Sequence, residues 1–203
     1  DNVARVEKTK AIIDLAVDLG THIVTTHIGV IPADDSNPRF GVMQRALTEC
    51  GLYAKSKGVT LAIETGPEVA TTLLHFLEGT KGGVGVNLDP ANFVMVSGQD
   101  PADAVDLLGK YIVHTHLKDG KKLNSDATPE QIYHGFAVGG VEALNAHKSF
   151  IELPIGEGTV PWDRYLAALR RVGYDGYLTI EREVGADPAK DIAMAVDFLK
   201  ARI

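Results

Sequence analysis

The chain has 203 residues and 21.7 kDa, with 45% hydrophobic and 23% charged residues, which suits one globular domain, 1–203, with a sizeable core. A formal net charge of −7 speaks against a nucleic-acid partner, and the lack of any apolar run of about 18 residues speaks against a membrane span. A single cysteine, Cys50, excludes an internal disulfide and, with no signal-peptide pattern at the start, leads us to expect a cytoplasmic protein.

Apolar residues at helical spacing, Val6, Ile13, Leu15, Ala16 and Leu19, predict a first helix that stops at Gly20. HIVTTHIG (22–29) reads as a strand, and a helix follows from about Pro38 to Lys57, closed by Gly58, with Cys50 as a small packed hydrophobe. VTLAIETG (59–66) is the next strand, followed by a helix near 68–79; GVGVNLDPANF (83–93) is a third strand, followed by a short helix over 101–109. YIVHTHLKDG (111–120) is the fourth strand, whose alternation points His114 and His116 to one side. Segment 121–147 is polar and irregular, with Gly139 and Gly140 adjacent, and reads as either a lid or a subunit contact. FIELPIGEG (150–158) is a weak fifth strand with a glycine-dependent turn at GEG, and an amphipathic helix covers 162–172, where Trp162 is expected to pack. YLTIERE (177–183) is a sixth strand, and a helix over 188–202 closes the chain.

Strands separated by helices need crossover connections and hence a parallel sheet, either an open doubly wound one or a closed barrel. The strand ends carry His27, Glu64, Asp89, His116, Glu152 or Glu157, and Glu181. Chemistry in parallel α/β folds gathers at those ends, and a barrel brings several of them around one axis. Carboxylates and an imidazole from separate strands form a mixed N/O set suited to Mn²⁺, Mg²⁺, Co²⁺ or Zn²⁺, and a cation removes the cost of burying them.

THIG, LAIETG, VNLDPAN, HTHLKDG, LPIGEGTVPW and GYDGYLTIERE, in this order, resemble the xylose isomerase-like barrel superfamily. Within it they are similar to the sugar phosphate isomerase/epimerase group, which includes ketose 3-epimerases and inosose dehydratase. The resemblance implies a (β/α)8 TIM barrel holding one divalent metal, Mn²⁺ first, through Glu64, Asp89, His116 and Glu181. It implies a sugar or cyclitol substrate and isomerisation or epimerisation through a metal-stabilised enediolate, with Glu64 and Glu181 also serving as the acid/base pair. The rival readings are a dehydratase of the inosose type, an AP endonuclease-like nuclease and a non-catalytic binding subunit. Family barrels take roughly 250 residues, and alignment of the motifs leaves the first two strands and first helix missing here. An incomplete barrel exposes sheet edges, which leads us to expect a homo-oligomer.

Around the four ligands the roles stay open. Glu183 competes with Glu181, since both point to one side of the strand. His27 either binds substrate or orients a ligand, and His114 either packs or supports the neighbouring imidazole. Lys118 and Asp119 form either a solvated rim pair or part of the substrate wall. Asn92 stands where ketose 3-epimerases carry a substrate-binding histidine. Lys118, Lys121, Lys122 and Lys148 are candidates to meet a phosphate.

Overall fold

The computed structural model describes residues 2–123, 126, 128, 129, 131–133 and 149–203. Gly139, Gly140, Lys148 and most of the 121–147 segment therefore lie outside the described residues. Helix α1 (Asn2–Asp18) leads to β1 (Ile23–Thr26), α2 (Pro38–Ser56), β2 (Thr60–Glu64), α3 (Ala70–Glu78) and β3 (Val84–Leu88). A single turn, α4 (Pro90–Asn92), runs into a π-helical stretch at Phe93–Ser97, and then come α5 (Pro101–Leu108) and β4 (Ile112–Leu117). β5 (Asp119–Lys122), β6 (Phe150–Leu153), α6 (Trp162–Arg171), β7 (Leu178–Ile180) and α7 (Pro188–Lys200) complete the order.

Four of the helices start by one device. Asn37, Asp89, Asp100 and Asp187 each precede a proline at the first helical position, and each side chain accepts a backbone N–H of the first turn. Proline costs nothing there because its missing N–H would have no intrahelical partner, and the Asx oxygen satisfies a donor that otherwise has none. At Asp89 this device ends the third strand at Leu88, five residues earlier than the apolar run suggests.

Strands β1, β2, β3, β4 and β7 form a parallel sheet in that order, curled as half of a barrel with helices on its outer face. The fifth expected strand departs from this plan. Phe150–Leu153 pairs antiparallel with Asp119–Lys122 in a separate two-stranded sheet, because β5 leaves β4 after a single residue and takes β6 as its partner. β3, in the middle of the parallel sheet, is buried along its whole length.

One apolar cluster joins the sheet to α3, α5 and α6 through residues such as Phe76, Leu77, Val86, Leu108, Tyr165 and Leu169. A smaller one, Val6, Ile13, Cys50, Ala54, Val59 and Leu61, locks α1 and α2 onto β2. Each fully buried Phe or Leu contributes about 1.5–3 kcal/mol. Trp162 packs as expected, edge-on to Tyr165 and Phe198 at 5.9 and 5.8 Å. No helix among the described residues is long and apolar enough to cross a membrane.

Candidate metal centre

Register places the polar residues. Glu64 pairs with Asn87 across β2 and β3, Asn87 with His114 across β3 and β4, and His116 with Thr179 across β4 and β7. Asp89 and Glu181 each follow the last residue of their strand, so four chain segments converge at the carboxyl edge of the sheet. Asp89 divides its carboxylate: Oδ1 caps the turn at Asn92 N, which frees Oδ2 to face the centre.

Glu64, Asp89, His116 and Glu181 each offer one ligand atom, and these atoms all lie within 4.8 Å of one another. His116 Nδ1 stands 3.0 Å from Glu181 Oε2, 3.3 Å from Asp89 Oδ2 and 3.7 Å from Glu64 Oε1. Asp89 is wholly buried and His116 nearly so. Three carboxylates and one imidazole fit a divalent cation that prefers oxygen and tolerates nitrogen, and a cation there would replace the compensating charge that His116 now supplies.

The surroundings pull these groups apart. Burial raises Glu64 to about 7 against the opposing pull of His116. Burial works in the same direction on Glu181, yet hydrogen bonding to His116 and the charge of Lys118 override it and hold that carboxyl at about 2. Burial disfavours charge on His116, but hydrogen bonds to Asp89 and Glu181 outweigh it and raise the imidazole to about 10.

Around the four, Lys118 is neither solvated nor paired with Asp119. Its ammonium is buried, 3.1 Å from Glu181 Oε2, within 4 Å of Asp89 and Glu152, and in close contact with Glu183 Oε2. Glu183, on that lysine and 60% exposed, stays out of the cluster, whereas Glu181 lies within it. His27 is half-exposed and its Nε2 lies 3.4 Å from Glu64 Oε1. His114 meets the His116 ring edge-on at 5.9 Å and reaches Thr179 Oγ1 at 2.9 Å, so the two imidazoles do share a side.

Asn92 donates its amide to Thr65 O at 2.9 Å, and Thr65 Oγ1 both accepts from Asp89 N and donates to Asp89 O, so this trio braces the two loops. Asp119 is the largest departure from expectation. It is buried and accepts from Gly120 N, Gly156 N, Gly158 N, Val160 N and Trp162 Nε1, which makes it the anchor of the 156–162 turn rather than a rim or substrate residue. Glu152 is held by Arg182 at 2.7 Å, and Glu157 is exposed. Lys122 Nζ is spent on Val96 O, while Lys121 is exposed.

Three residues near the centre escaped the sequence reading. Asn87 reaches both Glu64 and His116, and its polar side chain inside an apolar strand was the one available signal. Glu68, four residues after Glu64, is buried with neither carboxylate oxygen partnered among the described residues. Tyr133 seats its hydroxyl over Gly66, where any Cβ would collide with it, which is why that loop position needs glycine.

A sequence model of the family described as xylose isomerase-like TIM barrel matches residues 1–202. The crystal structure of a xylose isomerase domain protein from Planctomyces limnophilus superposes with a TM-score of 0.81 at 30% identity, covering 98% of this chain and 64% of that one. The L-ribulose-5-phosphate 3-epimerase UlaE of Escherichia coli is 41% identical over 56 residues, 27% of this chain and 20% of that protein. A probable 3-DHS dehydratase, AsbF, from Bacillus anthracis shares the fold at a TM-score of 0.73 and 20% identity, covering 100% of this chain and 72% of that one. The chain thus spans less than two thirds of the length of the first two of these relatives.

Proposed function

This chain belongs to the xylose isomerase-like TIM barrel family, and from that premise we propose that it is a divalent-metal-dependent sugar isomerase or epimerase acting by proton removal beside a carbonyl. The observation that carries the reading is the convergence of Glu64, Asp89, His116 and Glu181 from four strand ends within 4.8 Å. These four hold the cation; Mn²⁺ suits the donor set best, with Mg²⁺, Co²⁺ and Zn²⁺ as alternatives. When bound, the cation supplies Lewis acidity that stabilises negative charge on the oxygens next to the reacting carbon.

Glu64 and Glu181 are the acid/base pair. Reversible proton transfer at one carbon needs one group to take the proton and one to return it, and these two carboxyls come from β2 and the end of β7, on either side of β3 and β4 in the sheet. Lys118 keeps Glu181 ionised, as a base must be, and is itself too firmly held as a cation to exchange protons. His27 steadies Glu64 from the open side. The substrate is a sugar or cyclitol, a reading supported by the epimerase and dehydratase activities of the relatives.

The test is deuterium exchange from solvent into a panel of ketoses, inososes and their phosphates with Mn²⁺. Exchange at the carbon beside the carbonyl, absent in Glu181→Gln, supports the reading; no exchange into any of them overturns it. Proton removal followed by loss of a β-hydroxyl is a dehydratase reaction, the activity named for the Bacillus anthracis neighbour, so water release in place of an epimer moves the assignment to a lyase.

A further inference from the structure

Glu181 stands one residue past a strand of only three, and its N–H, 3.3 Å from Leu117 O, is the last backbone donor that this stretch gives to β4 among the described residues. Two residues on, the backbone is caught again from outside the parallel sheet. Glu152, on β6, accepts the Glu183 N–H at 3.0 Å and Arg182 Nη1 at 2.7 Å on one oxygen, Oε1. Arg182 Nε in turn reaches Asp191 Oδ2, in the first turn of α7, at 2.7 Å. The Glu152 and Arg182 side chains are 6% and 9% exposed, so the pair lies inside the protein.

A buried ion pair is a poor source of stability, because desolvation offsets most of the attraction, so its presence here calls for another account. Geometry supplies one. Each residue has two soft backbone torsions, and a chain that has left its sheet can turn about both. Here the N–H groups of residues 181 and 183 are fixed on either side of the Glu181 side chain, by β4 and by Glu152. Glu152 is brought there by the pairing of β6 with β5, which sets it opposite Gly120. Its second oxygen lies 3.8 Å from Lys118 Nζ, and it belongs to neither the cluster of four nor its hydrogen bonds. Building on the metal reading above, we propose that Glu152 is a positioning residue of the centre: by accepting the Glu183 N–H and the Arg182 guanidinium, it holds the backbone past β7 so that Glu181 faces His116 and the cation site. The role belongs to an acceptor oxygen at this reach and not to the negative charge.

Variants of Glu152 separate reach from charge. Glu152→Gln keeps an oxygen at the same distance and loses the charge, whereas Glu152→Asp keeps the charge and draws it back by one carbon, about 1.5 Å. Titration calorimetry with Zn²⁺ is expected to find Glu152→Gln within about 3-fold of the wild type and Glu152→Asp weaker by about 10-fold or more. Asp191→Asn, which loosens Arg182 without touching the Glu183 N–H, controls for stability: its melting temperature is expected to fall while its Zn²⁺ affinity stays within about 3-fold of the wild type. Glu152→Gln as weak as Glu152→Asp, no loss in either, or an equal loss in Asp191→Asn would each overturn the proposal. Hydrogen exchange on the metal-free wild type adds a second measurement, in which the Glu183 amide is expected to be protected; free exchange there would also overturn the proposal. Were Glu152→Asp not to fold, Glu152→Gln and the Glu183 amide still decide. Should Glu181→Gln bind Zn²⁺ as tightly as the wild type, the metal reading falls and this role with it; if only the Glu152 variants go astray, the centre stands without this residue.

Discussion

Glu181 and Glu183 lie two residues apart on one side of a strand, and strand alternation alone does not rank them, although the motif resemblance implies Glu181. Lys118 ranks them in the structure, because it holds both carboxylates but leaves only Glu181 within reach of His116. Glu181→Gln is therefore expected to cut divalent-metal affinity by at least 10-fold, while Glu183→Gln changes it less than about 3-fold; titration calorimetry of both variants checks this. The strand ends offered a wider mixed set that included His27 and Glu152 or Glu157, and it was the resemblance of the IETG, NLDP, HTHLKD and TIERE motifs that implied the four cluster residues. Asn87 was not legible, since an amide within VGVNL looks like any other polar interruption until register places it between Glu64 and His114. Glu68 was equally hidden, because its burial depends on tertiary packing of the loop. Burial raises its carboxyl from 4.5 to about 8, so the folded state prefers the protonated form. The sign follows: the cost of burial is absent below the unfolded value, grows as pH rises, and is complete above about 8, on the order of a few kcal/mol. Glu68→Gln should accordingly raise the melting temperature far more at pH 9 than at pH 5. An equal gain at both pH values would rule out this titration as the source.

At the scale of elements, apolar periods located α1, α2, α3, α5, α6, α7 and six of the strands among the described residues but missed the turn at α4 and the π-helical stretch after it, and the Asx-Pro pairs mark four of the helix starts. What resisted was β5, whose residues DGKK carry no apolar alternation and exist as a strand only through pairing with β6. Lys118 and Asp119, adjacent in sequence, part company at this point: the lysine faces the carboxylate–imidazole cluster and the aspartate faces the 156–162 turn. The single carboxylate of Asp119 receives four backbone N–H groups and the Trp162 indole, and the turn closes on it so tightly that a Cβ on Gly158 would strike it. Asp119→Ala strands these donors in a buried place and is expected to cost about 2–4 kcal/mol of folding stability. Asp119→Asn keeps one acceptor oxygen and should lose about half as much. Urea denaturation measures both, and a loss below about 1 kcal/mol for the alanine variant would show that the turn holds without its anchor.

For the molecule as a whole, β7 is a strand of three residues that, among the described residues, pairs in the parallel sheet with β4 alone. Glu181 follows that strand directly, whereas Glu64, Asp89 and His116 stand on β2, β3 and β4 or at their ends, so a cation shared by all four would tie β7 to the other three strands. The unfolded chain lacks this arrangement, since its four ligands are scattered along the sequence. Binding to the folded form alone stabilises it by about 2.7 kcal/mol when the free cation is at 100 times its Kd. For a chain of this length that corresponds to a rise of about 5–10 °C in Tm, which a chelator should reverse and Glu181→Gln should abolish. The gain should also be uneven. Hydrogen exchange is expected to slow most in β7 and the adjoining α7, because local opening of β7 no longer proceeds without losing the cation. If protection rises instead in α1 and β1, far along the sheet from Glu181, the cation does not act through these four residues.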